Sequence, residues 1–305
     1  MPPDAMMDTR RRGAPMLVAR RSIMIAGVER LYLLAVPPTY DPMRAYPFVF
    51  GFHGSGGSRE QLRGYMNLET PAAGAALFIY PEGLVVRDGD TGWNTSGMSD
   101  DLTFVDMLLA KYKSELCIDE GRIFATGHSF GGCMSNAMGC FRGDVFRAIA
   151  PVAGCGPFAR GMSGCVGEVA TLQIHSPKDT STGYPGAISA CTRWLRANGC
   201  MESPMCGCHW TDPSGDNAMP CDQTKQHPYV PGVPVEASMM DDAPPVLREY
   251  EGCKPDYPVI FIEHHRREKM MVGDPAERWH NPPPWSAGVI WHFFAGLSSI
   301  VPTRP

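Results

Sequence analysis

Ser129 stands in Gly127-His128-Ser129-Phe130-Gly131, and a serine framed by glycines at that spacing is a candidate nucleophile. A serine hydroxyl attacks a carbonyl only when a base removes its proton, and a third, acidic group must orient that base. The chemistry of such a set is acyl transfer. The charge that builds on the attacked carbonyl oxygen needs two backbone N–H donors, and losing one typically costs about 2.7–4 kcal/mol of transition-state stabilisation. The N–H of Phe130 is one candidate donor. The other belongs in a loop of small residues that can approach the substrate closely, and His53-Gly54-Ser55-Gly56-Gly57 is such a loop, with Ser55 N–H the chosen donor.

The elements that must position these groups alternate along the chain. Residues 122–126 form a short apolar strand before Ser129, and residues 131–140 form a small-residue helix after it. Strand, sharp Gly-x-Ser-x-Gly turn and helix are the nucleophile elbow of an α/β-hydrolase. The glycines relieve the clash between strand and helix, and the first helical N–H groups face whatever the serine attacks. Further strands are expected at 46–52, 75–80, 146–153, 171–175 and 259–263, with helices at about 58–66, 101–116, 185–197 and 284–297. Residues 16–36 read as an edge hairpin, and 84–100 as a loop. Strands alternating with helices give a mostly parallel central sheet flanked by helices. The expected unit is one domain over 16–298, with residues 1–15 loose. A Cys/Pro-rich insertion at 199–256 sits over the strand ends like a lid.

That fold orders the remaining groups as serine, acid, histidine. Asp179 follows the strand Thr171–His175 after a short turn and is the acid; Asp212 and Glu263 are rivals, one inside the insertion and one too late in the chain. His280 lies in Trp279-His280-Asn-Pro-Pro-Pro284-Trp285, directly before the last helix, and is the base of choice over His264 and His265. His128 neighbours the nucleophile and points elsewhere. His53, His175, His209, His227 and His292 read as structural or surface residues.

The totals bound the remaining choices. A chain of 305 residues, 44% hydrophobic, can bury a full α/β core. A formal net charge of −5 with no basic block argues against nucleic acid. No apolar run approaches the ~18 residues of a membrane span. The first 21 residues carry positive charge without an apolar core, so they do not read as an intact signal peptide. Eleven cysteines nevertheless favour an exported protein, secreted or periplasmic, over a cytosolic one. The positions of the cysteines suggest Cys117–Cys140 at the foot of the nucleophile strand and Cys200–Cys253 closing the insertion. Cys206-Gly-Cys208-His209 lacks a second pair at zinc-like spacing, so no metal site and no cofactor are expected.

The segments HGSGGS (53–58), YPEGL (80–84), GWN (92–94), 100–132, DVFRAIAPVAG (144–154), WLRANGC (194–200) and HNPPPWSAGVIWHFF (280–294) resemble the exported esterases grouped as feruloyl esterases and polyhydroxybutyrate depolymerases. The resemblance covers about residues 45–200 and 250–296. It implies Ser129 as nucleophile, Asp179 as acid and His280 as base. The acid of the family usually stands in His-Gly-Thr-x-Asp; here the register is kept in His175-Ser-Pro-Lys-Asp179, without the glycine. Trp93 and Trp285 are expected to flank a cleft for aromatic groups. The expected activity is hydrolysis of small or polymeric esters, foremost hydroxycinnamoyl esters, with a polyester of short hydroxyacids as runner-up. An acyltransferase and a catalytically silent binding module are the readings from other classes.

Overall fold

The computed structural model describes residues 15–156, 165–200, 224–227, 245–265 and 279–300. The elements, in order, are β1 (Leu17–Ile25), β2 (Val28–Val36), β3 (Tyr46–Phe52), α1 (Arg59–Met66), α2 (Glu69–Ala72), β4 (Leu77–Pro81), β5 (Leu84–Arg87), β6 (Asp90–Gly92), α3 (Asp100–Glu115), β7 (Ile118–His128), α4 (Phe130–Phe141), β8 (Ala148–Val152), β9 (Ala170–His175), α5 (Tyr184–Ala197), β10 (Thr224–His227), β11 (Val246–Tyr250), β12 (Val259–Glu263) and α6 (Ser286–Gly296).

Among the described residues, ten strands form one sheet in the order β1-β2-β4-β3-β7-β8-β9-β12-β11-β10. The six from β4 to β12 run parallel, and antiparallel pairs extend both edges. A parallel strand covered on both faces reads as a continuous apolar run, and β3 (YPFVFGF) is buried at all its residues. Its alternate side chains feed two cores. Phe48, Phe50 and Phe52 meet α3, α4 and α5 on one face, and Val49 meets α1 and α6 on the other. Phe124 of β7 stacks on Phe294 of α6 with ring centroids 4.4 Å apart, which seats the last helix under the nucleophile strand.

The helices begin where capping chemistry allows. Ser58 accepts from Gln61 N–H ahead of α1, and Ser99 accepts from Leu102 N–H ahead of α3, whose first turn carries Asp100 and Asp101. Two features differ from the sequence reading. The stretch 84–100 is not all loop, because β5 and β6 pair as a small hairpin. The described part of 199–256 adds β10 and β11 to the sheet edge beside β12; the rest of that insertion, with Asp212 and the Cys206–His209 motif, lies outside the described residues. So do residues 1–14.

Disulfides join Cys133 to Cys155, Cys140 to Cys165 and Cys200 to Cys253. The last is the pair expected for the insertion. The expected Cys117–Cys140 bridge is corrected. The end of α4 meets the segment returning toward β9, where Val166 N–H donates to the Cys140 carbonyl at 2.7 Å. Cys117 instead sits beside β3, its own N–H bonded to the Tyr40 hydroxyl at 2.7 Å, and it stays a thiol.

Candidate active site

The turn at Ser129 is as tight as its glycines imply. A Cβ on Gly131 would lie 1.9 Å from the Phe52 carbonyl oxygen, and one on Gly127 would lie 2.5 Å from the oxygens of both Gly131 and Phe52. The end of β3, the end of β7 and the start of α4 meet there with no room for side chains. Ser129 takes φ 58° and ψ −122°, a region that L residues occupy only when their surroundings hold them in it. Its N–H is bonded to the Val152 carbonyl at 3.0 Å, and its carbonyl accepts from Cys133 N–H at 3.1 Å. The side chain is left half-exposed.

Its two partners come from the chain beyond two other strands, Asp179 after β9 and His280 after β12. His280 Nε2 lies 2.7 Å from Ser129 Oγ, and its Nδ1 lies 2.8 Å from Asp179 Oδ2. A carboxylate accepts only, so Nδ1 carries the proton and Nε2 is the lone pair facing the serine hydroxyl. His280 and Asp179 are 6% and 4% exposed, so the line works out of bulk water, where its electrostatics are strongest. Burial alone would raise the Asp179 pKa. The close His175 imidazole and the hydrogen-bonded His280 outweigh it and hold the carboxyl well below the usual range. Oδ1 also accepts from Ser181 N–H at 2.8 Å, and Thr182 Oγ1 lies 3.0 Å from Oδ2. The rivals are engaged elsewhere. Glu263 is bonded to the Tyr184 hydroxyl and to Arg248, and His264 is buried edge-on against Trp285.

Sequence reasoning missed that two nominally structural histidines close on this line. His175 Nε2 lies 3.2 Å from Asp179 Oδ2, so the acid stands between two imidazoles. His128 Nε2 donates to the His280 carbonyl at 2.9 Å, and its Nδ1 accepts from the Tyr65 hydroxyl at 3.2 Å. Burial first, then the neighbouring His280, pushes the His128 pKa down to about 3, so it remains a neutral strut for the loop that carries the base. The only sequence cue was the Ser-Pro-Lys spacing that folds His175 back over Asp179.

The loop 53–57 runs along the nucleophile. A Cβ on Gly54 would be 3.2 Å from Ser129 Cβ. The β5–β6 hairpin holds this loop from outside: Gly56 N–H donates to the Thr91 carbonyl at 2.8 Å, and Thr91 Oγ1 to the Gly57 carbonyl at 2.6 Å. Arg30 anchors the hairpin's flanks, bonding the Glu82 carbonyl and the Asp101 carboxylate, whose other oxygen accepts from Asn94 N–H.

Trp93 and Trp285 do not flank a cleft. Trp93 is 2% exposed, its indole N–H bonded to the His53 carbonyl at 2.8 Å and its ring edge-on to Phe52. Trp285 is 3% exposed at the start of α6, in the core beneath the sheet. Both aromatics are taken up by packing. Among the described residues no three His, Cys, Asp or Glu side chains converge as a metal would require.

The prolyl oligopeptidase family matches residues 86–191, a segment that includes Ser129 and Asp179. A probable feruloyl esterase C of Aspergillus terreus is 34% identical over 88% of this chain and 84% of its own length. One of Aspergillus niger is 35% identical over 58% of this chain and 67% of its own. Among solved structures, an acetyl xylan esterase from Aspergillus awamori superposes with a TM-score of 0.59 at 15% identity, over 81% of this chain and 92% of that one, and so shares the fold. With a third of its residues held in common along most of such a relative, the chain belongs to the feruloyl esterase family and is a carboxylic ester hydrolase of the α/β-hydrolase fold.

Proposed function

We propose that the protein is a serine esterase that cleaves hydroxycinnamoyl esters through an acyl-enzyme, with Ser129, His280 and Asp179 as its catalytic residues. The observation that carries this reading is the unbroken line from Ser129 Oγ through His280 to Asp179 Oδ2, with both links under 3 Å. Ser129 Oγ bonds to the ester carbon while its proton passes to His280 Nε2, and the carbonyl π pair moves onto oxygen. The oxyanion rests on the N–H groups of Ser55 and Phe130. Collapse of that intermediate breaks the carbon–oxygen bond, and His280 returns the proton to the leaving alkoxide. Water repeats the two steps and frees the acid. Asp179 holds the imidazole tautomer and steadies the imidazolium.

The choice of acyl group rests on the curated relatives, which are named feruloyl esterases. Three disulfides among the described residues suit an exported protein that meets plant cell-wall esters outside the cell. The test is a competition in one tube between methyl ferulate and a 3-hydroxybutyrate oligomer, with Ser129→Ala as control. Preferential release of ferulate by the unaltered protein, abolished in the control, is the expected result. Preference for the oligomer would move the assignment to a polyester hydrolase, and undiminished cleavage by the control would remove Ser129 from it.

A further inference from the structure

His53 is fully buried, and both of its ring nitrogens are engaged. Nε2 lies 2.9 Å from Gly83 N, and Nδ1 lies 2.7 Å from the Gly54 carbonyl oxygen. A backbone N–H can only donate, so Nε2 must present a lone pair. The proton is therefore on Nδ1, which donates to Gly54. The imidazolium form would set an N–H against the Gly83 N–H, and burial pushes the ring toward the neutral form. Trp93 pins the residue further, with its indole N–H on the His53 carbonyl and its ring 4.9 Å from the imidazole.

The consequence follows from peptide planarity. In a trans peptide the carbonyl and the N–H of one unit point in opposite directions. The Gly54 carbonyl is fixed toward the imidazole and toward Gly57 N–H, which reaches it at 3.1 Å. The N–H of the same unit belongs to Ser55 and is thereby turned to the other side. The unit starts at Gly54, whose missing Cβ would stand 3.2 Å from Ser129 Cβ. We infer that His53, as its neutral Nδ1–H tautomer, is a positioning residue that sets the Gly54–Ser55 peptide so that Ser55 N–H faces the oxyanion formed at Ser129. His53 touches no substrate and acts only through that peptide. By accepting from Gly83 it also ties the loop to the strand-to-hairpin corner at 83, where a Cβ would stand 2.1 Å from the Gly92 carbonyl.

The inference rests on the esterase reading above, and the experiment separates the two. His53→Asn places an amide nitrogen near the Nδ1 position and can still donate to Gly54. His53→Gln reaches the Nε2 position instead, and His53→Leu does neither. On methyl ferulate, the expected result is kcat within about fivefold of the unaltered protein for the Asn variant. For the Gln and Leu variants kcat falls by about 100-fold, the scale of a lost oxyanion donor, with KM within about threefold. Binding of a boronic acid, whose tetrahedral adduct occupies the oxyanion site, weakens in step with kcat, while binding of free ferulate does not. In the unaltered protein labelled with ¹⁵N-histidine, the ring in contact with the Trp93 indole, which tells His53 apart from the like tautomer of His280, should be protonated at Nδ1 and bare at Nε2 at neutral pH; this reading needs no variant to fold. An Nε2–H tautomer of His53 itself, or folded Gln and Leu variants that keep kcat within threefold, or an Asn variant as impaired as Leu, would each overturn the proposal. If the unaltered protein cleaves no ester, or Ser129→Ala cleaves as well, the esterase reading itself has failed.

Discussion

Gly131→Ala puts the geometry of the nucleophile turn to a quantitative test. The added Cβ would lie 1.9 Å from the Phe52 oxygen, 2.4 Å from the Phe52 carbonyl carbon and 2.7 Å from the His53 oxygen. All three are backbone atoms at the end of β3, so no side chain can swing aside. Restoring even a 3.0 Å contact requires the start of α4 and the end of β3 to part by more than 1 Å. Those two pieces carry the two N–H donors assigned to the oxyanion, Phe130 on the helix and Ser55 on the loop after the strand. A misplacement of that size costs on the order of 100-fold in rate when reacting groups must be aligned. Overpacking adds roughly 1–3 kcal/mol of destabilisation. The assay is kcat and KM on methyl ferulate beside urea unfolding. Gly64→Ala is the control, because a Cβ at that helical position meets nothing within 4 Å and should stabilise by roughly 0.5–1 kcal/mol. Expected for Gly131→Ala is a 100-fold or greater fall in kcat in a protein that still folds. A kcat within threefold of the unaltered enzyme would refute the account of how the turn aligns its donors.

The remaining predictions concern the groups around that turn. Asp179→Asn removes the charge that fixes the His280 tautomer and sets an amide against its several donors; kcat should fall on the order of 10⁴-fold with little change in KM, and a fall of less than tenfold in steady-state assays would contradict the assignment. His128 takes up a proton near pH 6.5 when unfolded but only near 3 when folded. The unfolded chain therefore binds more protons between those values, and stability falls as pH drops through that window, with a slope approaching about 1.4 kcal/mol per pH unit. Urea unfolding at a series of pH values should show this slope, and His128→Gln, which keeps an N–H for the His280 carbonyl, should flatten it. Replacing Cys200 and Cys253 together by serine opens a loop of sequence separation 53, worth roughly 4 kcal/mol in the chain-entropy model. Unfolding measurements should find most of that loss, with kcat unchanged in the folded fraction.

What could be read from the chain was what local sterics dictate. The elbow was legible because Gly127 and Gly131 close on each other within one short turn, at 2.5 Å from a Cβ on the first to the oxygen of the second, so the demand for glycine is written into the local spacing. The alternation of apolar strands and helices gave the six parallel strands within a residue or two at most ends. Asp179 and His280 followed from chain order, and the structure brings both to Ser129. Most of the misreadings are non-local. Trp93 sits beside functional loops in sequence, but its indole N–H needs a buried acceptor and finds the His53 carbonyl, which draws the ring inside. Cys140 pairs with Cys165 because α4 ends against a returning segment that periodicity does not place. His53, His128 and His175 look like ordinary core histidines in sequence. Their roles depend on partners 30, 152 and 4 residues away, and only the last lies within reach of a sequence motif. The β5–β6 hairpin was lost among glycines and aspartates that also mark loops.

The central claim is that Ser129 carries the acyl group. Its most direct measurement is intact-mass and peptide analysis of the enzyme quenched in acid during turnover of methyl ferulate. The account predicts a single feruloyl adduct on the peptide containing Ser129, formed and discharged at rates consistent with kcat, and absent from Ser129→Ala. An adduct on another residue, or full turnover by Ser129→Ala, would contradict it.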